Sequence, residues 1–300
     1  MMDEIRLKQR RWGKLGRHGA EKDRDLLLKA GQDENSEMAD DPSSSNSKKP
    51  LQDLLLIAAL VVYAVLAILA FWNRPYHLFF LLLPAPAALL SRLGREFFAV
   101  AAAGAILGPI TEAACVLGGL WSYAERGGLP LIPIWLLAIW ACFPTALWLI
   151  VRSFQGSIPA ARPGTLSLAA AGIALEVIIF VSLQKNLVLL IAFCLLLAAG
   201  ALAAWPKKST ATLMAAGGIL GPACEALPVA AGAWNYSRAD LWGMPLWLPL
   251  AYALFAVLVA EAGLALLPRH IRAGSGLCQE DAPGFAIDRP EMEIKEPERR

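Results

Sequence analysis

Charged residues are scarce in the middle of this chain, and their absence there limits the possible folds. Only 17% of the 300 residues are Asp, Glu, Lys or Arg, whereas 57% are hydrophobic and the mean hydropathy is +0.51. Charge is concentrated in residues 1–50 and 269–300, and it is sparse in residues 51–268. This distribution excludes an ordinary soluble domain and is typical of a membrane protein with two polar tails. We expect both tails to be disordered and cytoplasmic.

The sequence also lacks the motifs of several common functional centres. Its five cysteines form no CxxC pair, so zinc and iron–sulfur spacings are absent and we expect no metal. An Asp-rich diphosphate motif and a Ser-His-Asp set are absent as well, and no cofactor is predicted. The net charge of +2 is the small difference between 27 basic and 25 acidic residues. It gives no reason to expect a nucleic-acid partner.

Eight apolar runs are long enough to cross a membrane core of ~30 Å, which takes roughly 20 residues in a helix. They cover residues 52–72, 76–92, 97–123, 130–151, 166–184, 187–205, 211–236 and 246–267. The second run contains Pro84 and Pro86, and we expect it to be kinked or partly re-entrant. The sequence therefore predicts an all-α, polytopic helical membrane protein.

Basic residues near the ends of the runs predict the orientation of the chain. Ten lie on the side of the N-terminus: Lys48, Lys49, Arg92, Arg95, Arg152, Arg162, Lys207, Lys208, Arg269 and Arg272. Four lie on the opposite side: Arg74, Arg126, Lys185 and Arg238. Because positive charge is enriched in cytoplasmic loops, we expect both termini in the cytoplasm and the protein in the inner membrane.

A shift of 113 positions aligns two stretches of the chain. They read ILGPITEAACVLGGLWSY (106–123) and ILGPACEALPVAAGAWNY (219–236), and ten of the 18 positions are identical. Downstream, GGLPLIPIW (127–135) resembles GMPLWLPLAY (243–252). The chain is therefore predicted to contain two tandem four-helix repeats, residues 51–152 and 165–268. An even number of spans per repeat makes them parallel, with a pseudo-two-fold axis along the membrane normal.

Each copy places one glutamate, Glu112 or Glu225, in a run that contains no Lys, Arg or His. If the helix continues to the end of the run, the glutamate lies ~16 Å from that end, near the midplane. A charged carboxylate there costs about 2.5–3.5 kcal/mol, so the acid is protonated or lines a polar cavity. We predict that the two glutamates are catalytic residues that act together. The alternative is structural, since each could hydrogen-bond to a carbonyl freed by the proline before it.

Small and aromatic residues accompany each glutamate at fixed spacing. At about 100° per residue, positions −4, +7 and +11 share the helix face of the glutamate. These positions hold Gly108, Gly119 and Tyr123 in the first copy, and Gly221, Gly232 and Tyr236 in the second. We predict that the glycines pack against other helices. The tyrosines, with Trp121 and Trp234, are predicted to bind substrate at a pocket mouth, with interfacial anchoring as the alternative.

Two further acids, Glu176 and Glu261, lie in other apolar runs and have no partner at the corresponding positions of the repeat. For each of them, a functional role and a packing role are equally open.

The string E-x6-G-x-W-x-Y, followed by Gly-x-Pro and a Trp/Tyr-rich helix, resembles the integral-membrane carotenoid-biosynthesis hydratases. The likeness covers residues 108–140 and 221–252. It implies a membrane-embedded enzyme that hydrates long isoprenoid chains and uses an intramembrane glutamate. The Pro-Phe-Gly element of that family is replaced by Leu120-Trp121-Ser122 and by Ala233-Trp234-Asn235. In other respects the chain looks like a bacterial polytopic membrane protein.

Three functions fit these patterns. The first is an enzyme or binding protein for an apolar isoprenoid or lipid, with Glu112 and Glu225 as general acid and base at the membrane midplane. The second is a proton-coupled transporter of a small solute, protonated at the same glutamates. The third is a scaffold whose N-terminal tail recruits an unknown protein partner. The scarcity of polar side chains in the runs favours the first, and membrane lipid is an expected contact in all three.

Overall fold

A computed structural model describes residues 42–267, with side chains from Lys49 onward. The tail expected at 269–300 and most of the tail expected at 1–50 lie outside this range. Residues 42–50 are helical and belong to the first helix.

The described residues form helices connected by short loops, together with two three-residue strands. The elements are α1 (Pro42–Phe71), α2 (Pro75–Leu82), α3 (Pro84–Leu93), a 3-10 turn (Arg95–Phe97), α4 (Phe98–Leu117), β1 (Trp121–Tyr123), α5 (Leu136–Gln155), α6 (Thr165–Leu183), α7 (Leu187–Ala204), α8 (Lys208–Ala230), β2 (Trp234–Tyr236) and α9 (Leu248–Ala265). Within residues 42–267, eight helical segments are long and apolar enough to cross a membrane. The chain is a polytopic helical membrane protein, as the sequence predicted.

The second span, Pro75–Leu93, consists of two helices rather than one. Helix α3 begins at Pro84, directly after Leu83, which still has helical dihedral angles. Because proline has no backbone N–H and its ring displaces the preceding turn, the first helix ends there. The span is interrupted at Pro84, one of the two prolines that indicated a break.

The third and seventh spans end earlier than their sequences indicated. Helix α4 ends at Leu117 and α8 at Ala230, whereas the apolar runs continue to residues 123 and 236. Gly119 and Gly232, just past the ends, have φ angles of 75° and 78°, which glycine adopts without strain. The prediction that each helix continues to its tyrosine was therefore wrong, because the chain reverses at these glycines.

After each reversal the chain forms one short strand, and the two strands pair with each other. Strands β1 and β2 are antiparallel, and Ser122 lies opposite Asn235 at the centre. On either side, Trp121 lies opposite Tyr236 and Tyr123 opposite Trp234. This is the register that a local two-fold axis through the central pair would produce.

Helices α5 and α9 form the centre of the helical core. Helix α5 packs against α2, α3 and α4, and α9 packs against α6, α7 and α8. The two groups are joined by contacts of α9 with α4 and α5, and of α5 with α8. The contact pattern is similar in the two halves, except that the backbone of α1 does not pack closely on any described helix, whereas that of α6 packs on α9. Ile57, Ala67 and Ile68 of α1 are nevertheless buried in the core. The tandem four-helix repeat itself stays a prediction.

An ion-pair cluster joins α1, α3 and α5 at one end. The carboxylate of Asp53, 5% exposed, lies 2.6 Å from Nη2 of Arg92 and 2.9 Å from Nη2 of Arg152. Arg152 also donates to the backbone carbonyl of Arg92, over 2.8 Å. The cluster anchors α1 to α3 and α5 at Asp53.

Candidate functional site

The carboxyl group of Glu112 is held by the two aromatic residues that follow it on β1. Trp121 Nε1 donates to Glu112 Oε2 over 3.0 Å, and the Tyr123 hydroxyl donates to the same oxygen over 2.7 Å. Burial raises the pKa of Tyr123, which lies past the end of its span, so this hydroxyl keeps its proton and acts as a donor. The chain reversal at Gly119 brings both donors back over the end of α4.

Glu225 has the same arrangement in the second half, with one donor more. Trp234 Nε1 donates to Glu225 Oε2 over 3.3 Å, and the Tyr236 hydroxyl donates to the same oxygen. The additional donor is the hydroxyl of Tyr252 on α9, which bonds to Oε1. Each glutamate therefore accepts hydrogen bonds from a Trp and a Tyr that lie nine and eleven residues further along the chain.

Aromatic rings of the two halves contact each other above the glutamates. The rings of Trp121 and Tyr236 lie 5.6 Å apart, and those of Tyr123 and Trp234 lie 6.0 Å apart. In the helical layer below, Trp140 of α5 and Tyr252 of α9 are stacked, with centroids 6.4 Å apart and planes at 15°. The strand pair and these rings together close one end of the site.

The predicted glycines divide into two groups. Gly108 and Gly221 allow close helix approach, because a Cβ at these positions would overlap the rings of Trp140 and Tyr252. Gly119 and Gly232 were predicted to pack helices too, and that prediction was wrong. Both lie beyond the helix ends, and no other described residue, apart from their chain neighbours, lies within 4 Å of where their Cβ atoms would be. Their role is to reverse the chain.

The glutamates lie closer to one end of their helices than the sequence indicated. Glu112 precedes the end of α4 by five residues, and Glu225 precedes the end of α8 by five. At 1.5 Å per residue this is about 8 Å, roughly half the distance expected for helices that continue to the tyrosines. The predicted midplane position is therefore corrected to a position near the β1–β2 end of the spans.

Both glutamates line one cavity of about 200 Å³. Most of its lining is aliphatic or aromatic, and α1 forms one wall with Ile57, Leu60, Val61, Ala64, Val65 and Ile68. The predicted aromatic residues Trp121, Tyr123, Trp234 and Tyr236 also line it. Because residues of α1 and of the core line it together, the cavity lies between α1 and the core.

Glu176 of α6 lines the same cavity, which the sequence did not indicate. Its side chain is 1% exposed, and neither carboxyl oxygen has a hydrogen-bond partner among the described residues. Glu261 lies elsewhere. It is fully buried on α9 and 3.8 Å from Nζ of Lys207, and it is not among the residues that line the cavity.

Tyr252, Trp140 and Trp247 also contribute to the cavity and were not predicted as site residues. Tyr252 is visible in the sequence only as the last residue of the repeated GMPLWLPLAY segment, and a tyrosine in an apolar helix has no distinctive spacing. Within residues 42–267, no group of three or more His, Cys, Asp or Glu side chains is placed to hold a metal ion.

No protein-family model matches the chain, and no curated protein matches it either. Two solved structures are similar. One is of MvINS, a mycobacterial Insig homolog from Mycobacterium vanbaalenii, and the other is of a cross-linked MvINS trimer. Both are 21% identical to this chain with a TM-score of 0.48. The match to the MvINS structure covers 56% of this chain and 92% of the solved chain, and the match to the cross-linked trimer covers 57% and 93%.

Proposed function

We propose that the protein binds an apolar lipid- or isoprenoid-like molecule in the cavity between α1 and the helical core. The observation that carries the proposal is the cavity itself, which adjoins membrane-spanning helices and is lined mainly by aliphatic and aromatic side chains. Small-molecule sites are typically apolar cavities with a few placed polar groups. Here the placed polar groups are Glu112, Glu225 and their donors.

The position of α1 supports an apolar ligand that enters from the membrane. The wall of the cavity on this side is one helix thick, because the opposite face of α1 exposes Leu55, Val62 and Leu66. A chain that leaves the lipid gains little hydrophobic free energy, so an alkyl or prenyl chain would be held here by close van der Waals packing against this wall. A hydrophilic solute would leave its hydrogen-bonding groups unpaired against the same surface, at a cost of several kcal/mol.

The hydrogen bonds at the glutamates support a positioning role for these residues in the same proposal. Glu112 and Glu225 hold the aromatic rings of β1 and β2 over one end of the cavity. Because each tyrosine is bonded to the carboxyl group of its own half, the rings have a fixed position before a ligand binds. Such preorganisation lowers the cost of binding.

We extend this proposal to catalysis, with Glu112 and Glu225 as general acid and general base, as the resemblance to the hydratases implies. The specific observation in its favour is that carboxyl groups from both halves line one cavity. Incubating the reconstituted protein with isoprenoids in ¹⁸O-labelled water tests this. Labelled alcohol that depends on both glutamates would support hydration, and unlabelled isoprenoid at the end of the incubation would limit the site to binding.

We also infer from the basic residues near the span ends that both termini lie in the cytoplasm, with the protein in the inner membrane. Under this orientation the β1–β2 end of the cavity lies at the outer side of the membrane. Labelling of single cysteines introduced at Arg126 and at Arg162 with a membrane-impermeant reagent tests it. Intact cells should label the first position and not the second.

The binding proposal is tested with two matched substitutions on α1. Ala64→Trp fills the cavity, because Ala64 lines it. Val62→Trp places the same ring on the exposed face of the same helix, where Val62 is 56% exposed. Each variant is purified in detergent, and the apolar molecules that copurify are extracted and quantified by mass spectrometry. We expect at least a tenfold loss in Ala64→Trp and no more than a twofold change in Val62→Trp. Equal content in the two variants would overturn the proposal.

A further inference from the structure

Glu176 differs from the other two carboxyl groups of the cavity. Glu112 and Glu225 accept hydrogen bonds from tryptophan and tyrosine donors, whereas both oxygens of Glu176 are without a partner among residues 42–267. The side chain is 1% exposed and lines the cavity. A buried polar group without a partner costs free energy that a complementary ligand would recover. The cavity therefore has one carboxyl group that is free to bind a ligand.

The cavity contains acidic side chains and no basic side chain to neutralise them. Its described lining contains the carboxyl groups of Glu112, Glu176 and Glu225, and no Lys, Arg or His. An anionic group on a ligand would find no positive partner in this apolar lining, where an unpaired charge is costly. A positive charge on a ligand favours ionisation of a neighbouring carboxyl group and is then paired with it. The composition of the lining thus favours a cation.

Aromatic rings line the cavity together with the unpaired carboxyl group. Phe180 follows Glu176 by one helical turn on α6 and lines the cavity with it. The ring of Phe180 packs on Trp247, with centroids 4.9 Å apart, and Trp247 also packs on Tyr236. The faces of such rings attract ammonium groups, most strongly where water is excluded. Carboxyl group and rings together form the kind of surroundings that bind an organic cation.

We propose that the ligand of this cavity is a hydrophobic cation, an apolar molecule that carries a single amine or quaternary ammonium group. The ammonium group lies against Glu176 and the rings beside it, and the apolar part extends toward α1. This inference rests on the proposed function, that the cavity binds an apolar molecule, and it specifies the chemistry of the polar end.

The test compares two probes that differ in one atom. Decyltrimethylammonium carries the charge, and 2,2-dimethyldodecane has a carbon in place of the nitrogen. The full-length protein is reconstituted in nanodiscs of uncharged phosphatidylcholine, and binding of each tritiated probe is corrected for empty nanodiscs. We expect the cation to bind at least tenfold more tightly than its neutral isostere.

A substitution then locates the charge preference. In Glu176→Gln we expect the affinity for the cation to fall at least tenfold, and the affinity for the neutral probe to change less than twofold. Glu261→Gln is the matched control, because it alters a buried acid that does not line the cavity. We expect this variant to prefer the cation over the neutral probe as strongly as the unaltered protein does.

The outcomes separate this inference from the proposed function. If the neutral probe binds as tightly as the cation, the inference is overturned and the apolar site remains. If neither probe binds, both are overturned. A cation preference that survives in Glu176→Gln would overturn the role of Glu176. If Glu176→Gln does not fold, the comparison of the two probes on the unaltered protein still decides the inference.

Discussion

The hydroxyl of Tyr123 donates a 2.7 Å hydrogen bond to Glu112, although eleven residues and the end of a helix separate them. In a continuous helix these two side chains would be ~16 Å apart along the axis. They meet because the chain reverses at Gly119 and returns over the helix end as a strand. The bond thus joins a membrane-spanning helix to the strand pair that closes the cavity.

Tyr123→Phe removes this donor and keeps the ring. A hydrogen bond to a charged or strongly polar acceptor contributes about 1.5–3 kcal/mol, so we expect the thermal unfolding midpoint in detergent to fall by several degrees. Because Trp121 still donates to Glu112, we expect the loss of unfolding free energy to lie near the lower end of this range. The control is Tyr76→Phe, whose hydroxyl donates to Gly127 from a half-exposed position and should shift the midpoint less. Equal shifts in the two variants would contradict the prediction.

Gly108→Ala introduces a Cβ that overlaps the ring of Trp140. Overpacking of this kind typically costs 1–3 kcal/mol, and here it would push α5 away from α4. We expect a lower midpoint of thermal unfolding and a changed wavelength of tryptophan emission in the folded protein. Both are measured in one thermal scan.

Gly200→Ala is the matched control for that change. Gly200 lies in α7, and nothing occupies the space within 4 Å of its missing Cβ. Because alanine is favoured over glycine in a helix by about 0.5–1 kcal/mol, this variant should be unchanged or more stable. A loss of stability at Gly200 as large as that at Gly108 would show that close approach is not the cause.

Asp53→Asn breaks the ion-pair cluster that fixes one end of α1. Removing one partner of a buried ion pair typically lowers the free energy of unfolding by about 3–5 kcal/mol. Because Arg92 and Arg152 are about one-third exposed and water screens them, we expect a loss of roughly 1–3 kcal/mol here. Loss of the cluster should also increase proteolysis or hydrogen exchange along α1. Asp240→Asn alters a more exposed pair with Arg238 and should leave both measurements nearly unchanged. Unaltered exchange in α1 of Asp53→Asn would contradict the prediction.

Much of the fold was predictable because hydropathy records which residues face lipid. The eight spans and the kink at Pro84 follow from run length and proline chemistry alone. The similar surroundings of Glu112 and Glu225 were predictable because the sequences around them are alike. The helix ends at Leu117 and Ala230 were misplaced, since the residues that follow are as apolar as those within the helix. The glycines there were interpreted as packing residues, although a glycine after a helix is also a common stop signal.

The location of Glu176 could not be predicted from its own segment. Its place in the cavity depends on α6 packing against α9, where Gly172 admits the side chain of Leu258. Such a contact joins residues far apart in the chain, and single-sequence periodicity contains no information on it. The general acid–base roles, the tandem repeat and the resemblance to the hydratases stay predictions.

The different packing of α1 and α6 affects the number of ligand molecules that one chain can bind. Two glutamates in similar surroundings would provide two equivalent sites if each half enclosed its own space. Instead, the backbone of α6 packs closely on α9, whereas that of α1 does not pack closely on α5, and both glutamates line one cavity. A saturating titration should therefore end at one molecule per chain, with a single dissociation constant.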